Sequence, residues 1–138
     1  MKVLLVSPDA SSRELMALAV RSIERRIGEP IEFSEARDGA AGIRVARRTE
    51  PDAIVAEEVA SRAGAFALSM DLRNQDRPYP GAIVVLLERK HDAWLAKWSG
   101  ADAWFVKPVD PFELADTVLE LVASIADGPA EENAKELV

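Results

Sequence analysis

The chain of 138 residues contains no cysteine and a single histidine, His91. The absence of cysteine excludes disulfides, a thiol nucleophile and a thiolate metal site, and one histidine cannot build a multi-histidine metal cluster. The sequence also lacks an apolar run long enough to cross a bilayer. Met1 and Lys2 lead directly into apolar residues, without the n-region and cleavage site of a signal peptide. We therefore expect a cytoplasmic protein that does not bind membranes.

Positive charge is scarce, since 17 lysines and arginines face 24 acids and leave a net charge of −7. Phosphate contacts supply most of the affinity of proteins for nucleic acids, so direct nucleic-acid binding is disfavoured. The most basic stretches, Arg25–Arg26 and Arg44–Arg48, fall in two different predicted helices and are interpreted as solvated faces. The sequence has no glycine-rich phosphate loop and no nucleophile–base pair, so we do not expect a hydrolase or a nucleotide-dependent enzyme.

Short apolar runs alternate with helical patterns along the chain. Three continuous apolar runs predict strands that are buried on both faces of a parallel sheet: Val3–Val6, Ala53–Ala56 and Ala82–Leu87. Ile31–Ala36 alternates between apolar and polar residues, which is typical of a strand nearer the sheet edge, and Trp104–Val106 is the fifth strand. Five strands alternating with five helices predict an α/β fold with right-handed crossovers.

Two helices have recognisable start signals. Ser11–Glu14 fits a capping box, and the residues after it predict an inward stripe formed by Leu15, Leu18, Ala19 and Ile23. Asp110 is predicted to cap the last helix, with Pro111 at its first position.

The composition turns acidic after residue 126. Residues 127–138 hold four acids and one lysine, which is three of the seven net negative charges. We predict one domain over residues 1–126 and an acidic flexible tail over residues 127–138. Because no output domain follows, we expect the domain to act on its own.

The run Gly100–Pro108 joins a glycine helix stop to a short apolar strand that ends in Lys107 and Pro108. A lysine there places its ammonium at the carboxyl edge of the sheet, where α/β proteins build their sites, and the proline fixes the turn. With the first, third and fourth strands, this run resembles the receiver domain of bacterial two-component response regulators, in the compact form of the chemotaxis regulators. The resemblance implies a flavodoxin-like, three-layer α/β/α fold with five helices and a five-stranded parallel sheet in the order 2-1-3-4-5.

The resemblance also implies where a phosphoacceptor site would lie. In that family two acids after the first strand and an aspartate after the third hold Mg²⁺, and the aspartate attacks phosphorus. A hydroxyl after the fourth strand and a lysine after the fifth bind the phosphoryl group. An ungapped alignment, anchored on Arg13 as the family's common arginine of the first helix, places these residues there: Ser7 and Pro8 for the acid pair, Glu57 for the aspartate, Leu87 for the hydroxyl with Glu88 beside it, and Lys107 for the lysine. Ala60 and Ser61 replace the family's Met-Pro in the loop after the third strand.

Only Lys107, with Pro108, therefore keeps the family's identity. Ser7 and Pro8 are poor ligands for Mg²⁺, which prefers carboxylate oxygens, and Asp9, one step further on, is predicted to be a helix cap. Glutamate reaches one methylene beyond the aspartate for which the geometry is tuned. We therefore expect no catalytic residue, no cofactor, and weak or absent Mg²⁺ binding.

These substitutions favour an atypical receiver, a pseudo-receiver, that is not an enzyme and acts through protein–protein interaction. Glu57 and Lys107 would form an ion pair that imitates the phosphorylated state, with Glu58 and Glu88 at the same rim. A salt bridge without signalling meaning is the alternative interpretation of that pair. Two other functions stay open: a working phosphoacceptor that uses Glu57 or Asp9, and a small-molecule sensor in which Lys107 reaches an anionic group.

All three tryptophans fall close together in the sequence. Trp94 and Trp98 are spaced i, i+4 and share a helix face, and Trp104 occupies the position of the family's switch aromatic. The resemblance implies that partners or a second copy dock on the face formed by the fourth helix, fifth strand and fifth helix. We expect Trp94 in the core, Trp98 at an interface, and Trp104 in one fixed orientation, because Leu87 cannot couple it to a phosphoryl group.

Overall fold

A single parallel sheet forms the centre of the protein. The computed structural model describes residues 1–59 and 64–136, with side chains as far as Asp127. The strands are β1 Lys2–Val6, β2 Glu32–Ala36, β3 Ala53–Glu57, β4 Ala82–Leu87 and β5 Ala103–Val106. Their order across the sheet is β2-β1-β3-β4-β5, which confirms the predicted order.

Five main helices connect and follow the strands in the described part of the chain. They are α1 Ala10–Arg21, α2 Gly39–Thr49, α3 Ala65–Arg73, α4 Ala93–Trp98 and α5 Pro111–Glu136. A four-residue helix, Glu24–Ile27, follows α1, and a 3₁₀ turn, Lys90–Asp92, leads into α4. In these described segments, every helix is too short or too polar to cross a membrane.

The helices cover both faces of the sheet, because side chains alternate along each strand. Val3 and Leu5 face a core that includes Met16 of α1 and Leu114 of α5. Leu4 and its equivalents on β3 and β4 face a second core, which receives residues from α2, α3 and α4: Ala46, Leu68, Leu72 and Ala96. The result is the predicted three-layer arrangement.

The strand register brings the ends of the strands to one edge. Val6 of β1 pairs with Ala56 of β3, and Glu57 pairs with Leu86 of β4. The backbone N–H of Lys107 then donates to the carbonyl of Leu87 at 2.8 Å. The residues that follow β1, β3, β4 and β5 therefore meet at the carboxyl edge.

The predicted inward stripe of the first helix was right for Ala19 and Ile23 and wrong for Leu15 and Leu18. Met16, Ala19, Val20 and Ile23 are buried, whereas Leu15 and Leu18 are exposed. Both stripes have helical spacing, but the buried one is apolar at i, i+3, i+4 and i+7. The predicted capping box at Ser11–Glu14 was also wrong, since the helix begins at Ala10 and Asp9 is its N-cap.

The last helix begins as predicted. The carboxylate of Asp110 accepts from the backbone N–H of Phe112 at 2.8 Å and from that of Glu113 at 3.4 Å, and Pro111 is the first helical residue. The helix continues to Glu136, past residue 127, where we placed the start of a flexible tail. The division at residue 126 stays a prediction.

Candidate functional site

An ion pair between Glu57 and Lys107 lies at the carboxyl edge of the sheet. Glu57 ends β3 and Lys107 follows β5, so the pair reaches across the end of β4. The Lys107 Nζ lies 3.1 Å from Glu57 Oε1. Glu57 is buried, with 8% of its surface exposed, and Lys107 continues into a cis peptide bond with Pro108. A buried carboxylate is costly without a partner, so Lys107 neutralises the charge that β3 places there.

Glu88 approaches the same lysine from the solvent side. Its Oε1 lies 3.7 Å from Lys107 Nζ, and its side chain is mostly exposed. Exposed ion pairs contribute little stability, so the buried Glu57 contact dominates the energy of this group. Lys107 therefore has a carboxylate on both its buried side and its solvent side.

Ser7, at one position of the family's acid pair, and the neighbouring Asp9 form hydrogen bonds at the start of α1. Ser7 is fully buried, and its hydroxyl accepts from the backbone N–H of Asp9 at 3.1 Å. Asp9 uses one carboxylate oxygen to accept from the N–H of Ser11 at 3.0 Å and the other to accept from the hydroxyl of Ser12 at 3.2 Å. Asp9 is thus the N-cap of α1, as predicted, and Pro8 between them is exposed.

Little space is left beside Glu57 on the β1 side. The opening that Ser7, Pro8, Arg37 and Asp38 form with Glu57 has a volume of about 10 Å³. A single water molecule needs about that much, and Mg²⁺ usually keeps several waters. Within the described residues, no group of three acidic or histidine side chains is arranged to hold a metal ion. This opening is therefore too small for a hydrated Mg²⁺.

Leu87 fills the position of the hydroxyl. Its side chain is 1% exposed and belongs to the second core. It can neither donate to nor accept from a group bound at Lys107, although its backbone carbonyl accepts from the Lys107 N–H. The end of β4 therefore presents an apolar side chain where phosphoryl chemistry would need a polar one.

Arg13 has a role that the alignment did not reveal. One guanidinium nitrogen donates to the backbone carbonyl of Ser7 at 2.5 Å, and another lies 3.0 Å from a carboxylate oxygen of Glu35. The side chain thereby ties the ends of β1 and β2 together. The acid at the end of the edge strand, Glu35, was the available sequence signal for this contact.

Glu58 points away from the ion pair, towards the start of α3. Its carboxylate accepts from the backbone N–H of Phe66 at 3.0 Å. Gly64 provides no capping side chain, and a Cβ added at Gly64 would lie 2.9 Å from Glu58 Oε2. Burial raises the pKa of Glu58, the N–H groups of Phe66 and Ala65 lower it, and Asp92 raises it. Glu58 thus acts as a cap, although we placed it at the rim with Glu88.

The tryptophans of α4 are both exposed. Trp94 is 65% exposed and Trp98 is 67% exposed, so the prediction that Trp94 lies in the core was wrong. The helix has six residues and one buried side chain, Ala96. Residues two positions away lie about 200° around the helix, which turns both indoles to solvent. Trp104 is partly buried and packs against the second core.

Ala60 and Ser61, which replace the family's Met-Pro, lie outside the described residues.

A second opening, of about 200 Å³, lies between α1 and the loop after β5 and is lined mostly by apolar side chains: Leu15, Met16, Leu86, Pro108, Val109 and Leu114. Glu57 and Lys107 line one part of it.

Comparison with known proteins gives relatives over nearly the whole chain. The uncharacterized response regulatory protein Rv3143 of Mycobacterium tuberculosis is 30% identical over 129 residues, which cover 91% of this chain and 94% of that protein. No protein-family model matches the chain.

Solved structures share the fold. The chemotaxis response regulator CheY4 of Vibrio cholerae superposes with a TM-score of 0.71 at 24% identity, covering 87% of this chain and 97% of that one. The receiver domain of the sensor histidine kinase PA1611 of Pseudomonas aeruginosa, solved with a magnesium ion in its active site cleft, gives 0.75 at 19% identity, covering 89% and 98%. At these identities the structures establish the architecture alone.

Proposed function

The chain belongs to the response-regulator family as a receiver domain of two-component signalling, and we propose that it signals through protein contacts without accepting a phosphoryl group. In this proposal the protein is an interaction module and not an enzyme. Partners recognise a conformation that is permanently present.

The ion pair of Glu57 and Lys107 carries this proposal. Its nitrogen–oxygen distance is 3.1 Å and its carboxylate is buried. A glutamate extends one methylene beyond an aspartate, so its negative charge lies nearer to where the family's phosphorylated aspartate would carry charge. Lys107 already binds that charge, which makes the pair a fixed counterpart of the phosphorylated state.

The surroundings of the pair support the absence of phosphoryl chemistry. Asp9 has both carboxylate oxygens engaged at the start of α1, and the opening on the β1 side of Glu57 is about the size of one water molecule. Leu87 offers no hydroxyl at the end of β4. These observations support the proposal that the chain neither holds Mg²⁺ nor stabilises a transferred phosphoryl group.

The exposed tryptophans of α4 support the protein-contact half of the proposal. Trp94 and Trp98 each expose about two-thirds of their surface, although large aromatic side chains usually find cover. Tryptophan is enriched among the few residues that carry most of the binding energy of protein interfaces. We assign the partner-binding surface to this helix and the neighbouring β5 and α5.

Amide NMR spectra recorded with Mg²⁺, and then with Mg²⁺ and beryllofluoride, test the phosphoryl half. Beryllofluoride imitates an acyl phosphate, and we expect no shift at Asp9, Glu57 or Lys107 in millimolar Mg²⁺. Shifts at these residues that spread to Trp104 would establish a working phosphoacceptor and overturn the proposal. A variant that carries Ser7→Asp, Pro8→Asp, Glu57→Asp and Leu87→Thr restores the four missing groups and serves as the positive control.

A further inference from the structure

We propose that the exposed face of α4 binds the acidic C-terminal stretch, residues 127–138, of a second copy of this chain. The α4 face is defined here as Arg89, Lys90, Trp94, Lys97 and Trp98. The inference rests on the interface assigned above and adds the identity and charge of its occupant.

The α4 face is a basic surface on an acidic protein. Arg89, Lys90 and Lys97 are exposed, and none of them forms an ion pair with a carboxylate among the described residues. Two neighbouring acids are engaged elsewhere, since Glu88 approaches Lys107 at 3.7 Å and Asp102 lies 2.7 Å from Arg73. The acid within the same segment, Asp92, lies 3.7 Å from His91. Three cations therefore outnumber this one acid, in a chain whose net charge is −7.

The tryptophans lie among these charges. Trp94, Lys97 and Trp98 follow the spacing i, i+3 and i+4, which places them on one face of α4, away from the buried Ala96. Lys90 lies in the 3₁₀ turn that leads into this helix. Two indoles provide apolar contact area, and the cations around them select a partner of negative charge. Direct pairing of two α4 faces would bring like charges together, so a symmetric α4–α4 contact is disfavoured.

The C-terminal stretch has the matching composition. Its four acids and one lysine give a net charge of −3, opposite in sign to the cations of the α4 face. Leu137 and Val138 at its end supply apolar side chains for the indoles.

The backbone of α5 favours binding to a second copy over binding within one chain. The helix runs without interruption from Pro111 to Glu136, 26 residues, which is about 39 Å. Ile125 is the last described side chain that packs against the core, so the helix projects about 16 Å past it. A continuous helix cannot turn back onto its own α4. A reciprocal exchange of two such ends closes a two-fold dimer, the commonest symmetry of oligomers.

Sedimentation velocity of the full chain tests this contact. We expect a monomer–dimer equilibrium at low NaCl that weakens at high NaCl, because salt screens exposed charges. Removing residues 127–138 should abolish the dimer, and Lys97→Glu should raise its dissociation constant by about tenfold. The control Arg48→Glu makes the same charge change on α2, where Arg48 is exposed, and should leave dimerisation unchanged.

A charge exchange makes the test specific. One variant carries Lys90→Glu and Lys97→Glu, and the other carries Glu131→Lys and Glu132→Lys. Each should be monomeric alone, because its α4 face and its C-terminal stretch then have the same sign. Their mixture should form a heterodimer, in which both contacts again join opposite charges.

Three results would overturn the inference: a chain that stays monomeric at low NaCl, a dimer that survives removal of residues 127–138, or a mixture that fails to form the heterodimer. The beryllofluoride experiment reports on the proposed function separately. If beryllofluoride causes no shifts and the chain is monomeric, only the proposal that the C-terminal stretch binds the α4 face is refuted. If beryllofluoride causes shifts and the predicted dimer forms, only the proposal that the chain signals without accepting a phosphoryl group is refuted.

Discussion

The carboxyl edge at Glu57 and the α4 face both carry charge, but they handle it in opposite ways. At the carboxyl edge a buried carboxylate meets one lysine at 3.1 Å, and the space on the β1 side of that carboxylate is about the size of one water molecule. On α4 three exposed cations and two exposed indoles have no described acid paired with them. The charges of the first region are paired within the chain, whereas in our proposal the second region is completed by another molecule.

This contrast separates stability from recognition. A buried, paired charge contributes by avoiding the cost of an unpaired one, so its removal affects folding. Exposed charges and aromatics contribute little to folding, yet they set the affinity and rate of association. Mutations in the two regions should therefore change different measurements.

The largest expected effect comes from Lys107→Met, which leaves the carboxylate of Glu57 buried and unpaired. We expect a loss of about 3 kcal/mol in the free energy of unfolding, measured by urea denaturation. Lys90→Met on the α4 face makes the same chemical change at an exposed site and should shift stability by less than about 0.5 kcal/mol. Equal losses in the two variants would remove the distinction between the regions.

A double variant sharpens this result. Combining Lys107→Met with Glu57→Gln removes the unpaired charge, so part of the lost stability should return. A double variant that is as unstable as the sum of the two single variants would mean that the ion pair contributes nothing specific.

The three tryptophans extend the comparison to apolar side chains. Trp104→Ala should cost about 2 kcal/mol, because Trp104 is partly buried against the second core. Trp98→Ala should change stability by less than about 0.5 kcal/mol and should weaken self-association. A stability loss for Trp98→Ala as large as that for Trp104→Ala would show that the indole of Trp98 packs within the monomer.

The ion pair at the carboxyl edge could be predicted from the sequence, because its two residues lie at the ends of predicted strands. Parallel strands bring their ends to one edge, so residues directly after β3 and β5 had to approach each other whatever their side chains. The orientation of α4 was less accessible: six residues form under two turns, and the docking of Ala96 alone decides where Trp94 points. On α1 two overlapping apolar stripes competed, and packing selected the one that begins at Met16.

The direction of a side chain at the end of a strand could not be predicted from the sequence either. Glu57, Glu58 and Glu88 look equivalent in the sequence, since all three lie at strand ends. Glu58 leaves the group because α3 starts after a glycine and needs a capping carboxylate. That need follows from the position of Gly64 in the folded chain, which no local pattern around Glu58 indicates.

A further prediction concerns Asp9, which belongs neither to the ion pair at the carboxyl edge nor to the α4 face. Asp9→Ala should cost about 1 kcal/mol, the usual value for a lost N-cap, and Asp110→Ala at the start of α5 should cost a similar amount. If Asp9 is only a cap, millimolar Mg²⁺ will not raise the melting temperature of the unmodified protein. A rise that disappears in Asp9→Ala would instead identify Asp9 as a metal ligand.

The smallest expected effect is the pH dependence of the free energy of unfolding that Glu58 causes. Burial raises the pKa of Glu58 above its ordinary value of 4.5 in the folded protein. Between pH 4.5 and the folded pKa, the folded state therefore binds more protons than the unfolded state. Its stabilising contribution is therefore complete below pH 4.5 and is lost as the pH rises through the folded pKa. To isolate the effect of Glu58, the measured quantity is the difference in unfolding free energy between the unmodified protein and Glu58→Gln at each pH. That difference should change in favour of the unmodified protein as the pH falls from 7 towards 5. A constant difference over this range would mean that the cap on α3 keeps the carboxylate as easily ionised in the folded chain as in the unfolded one.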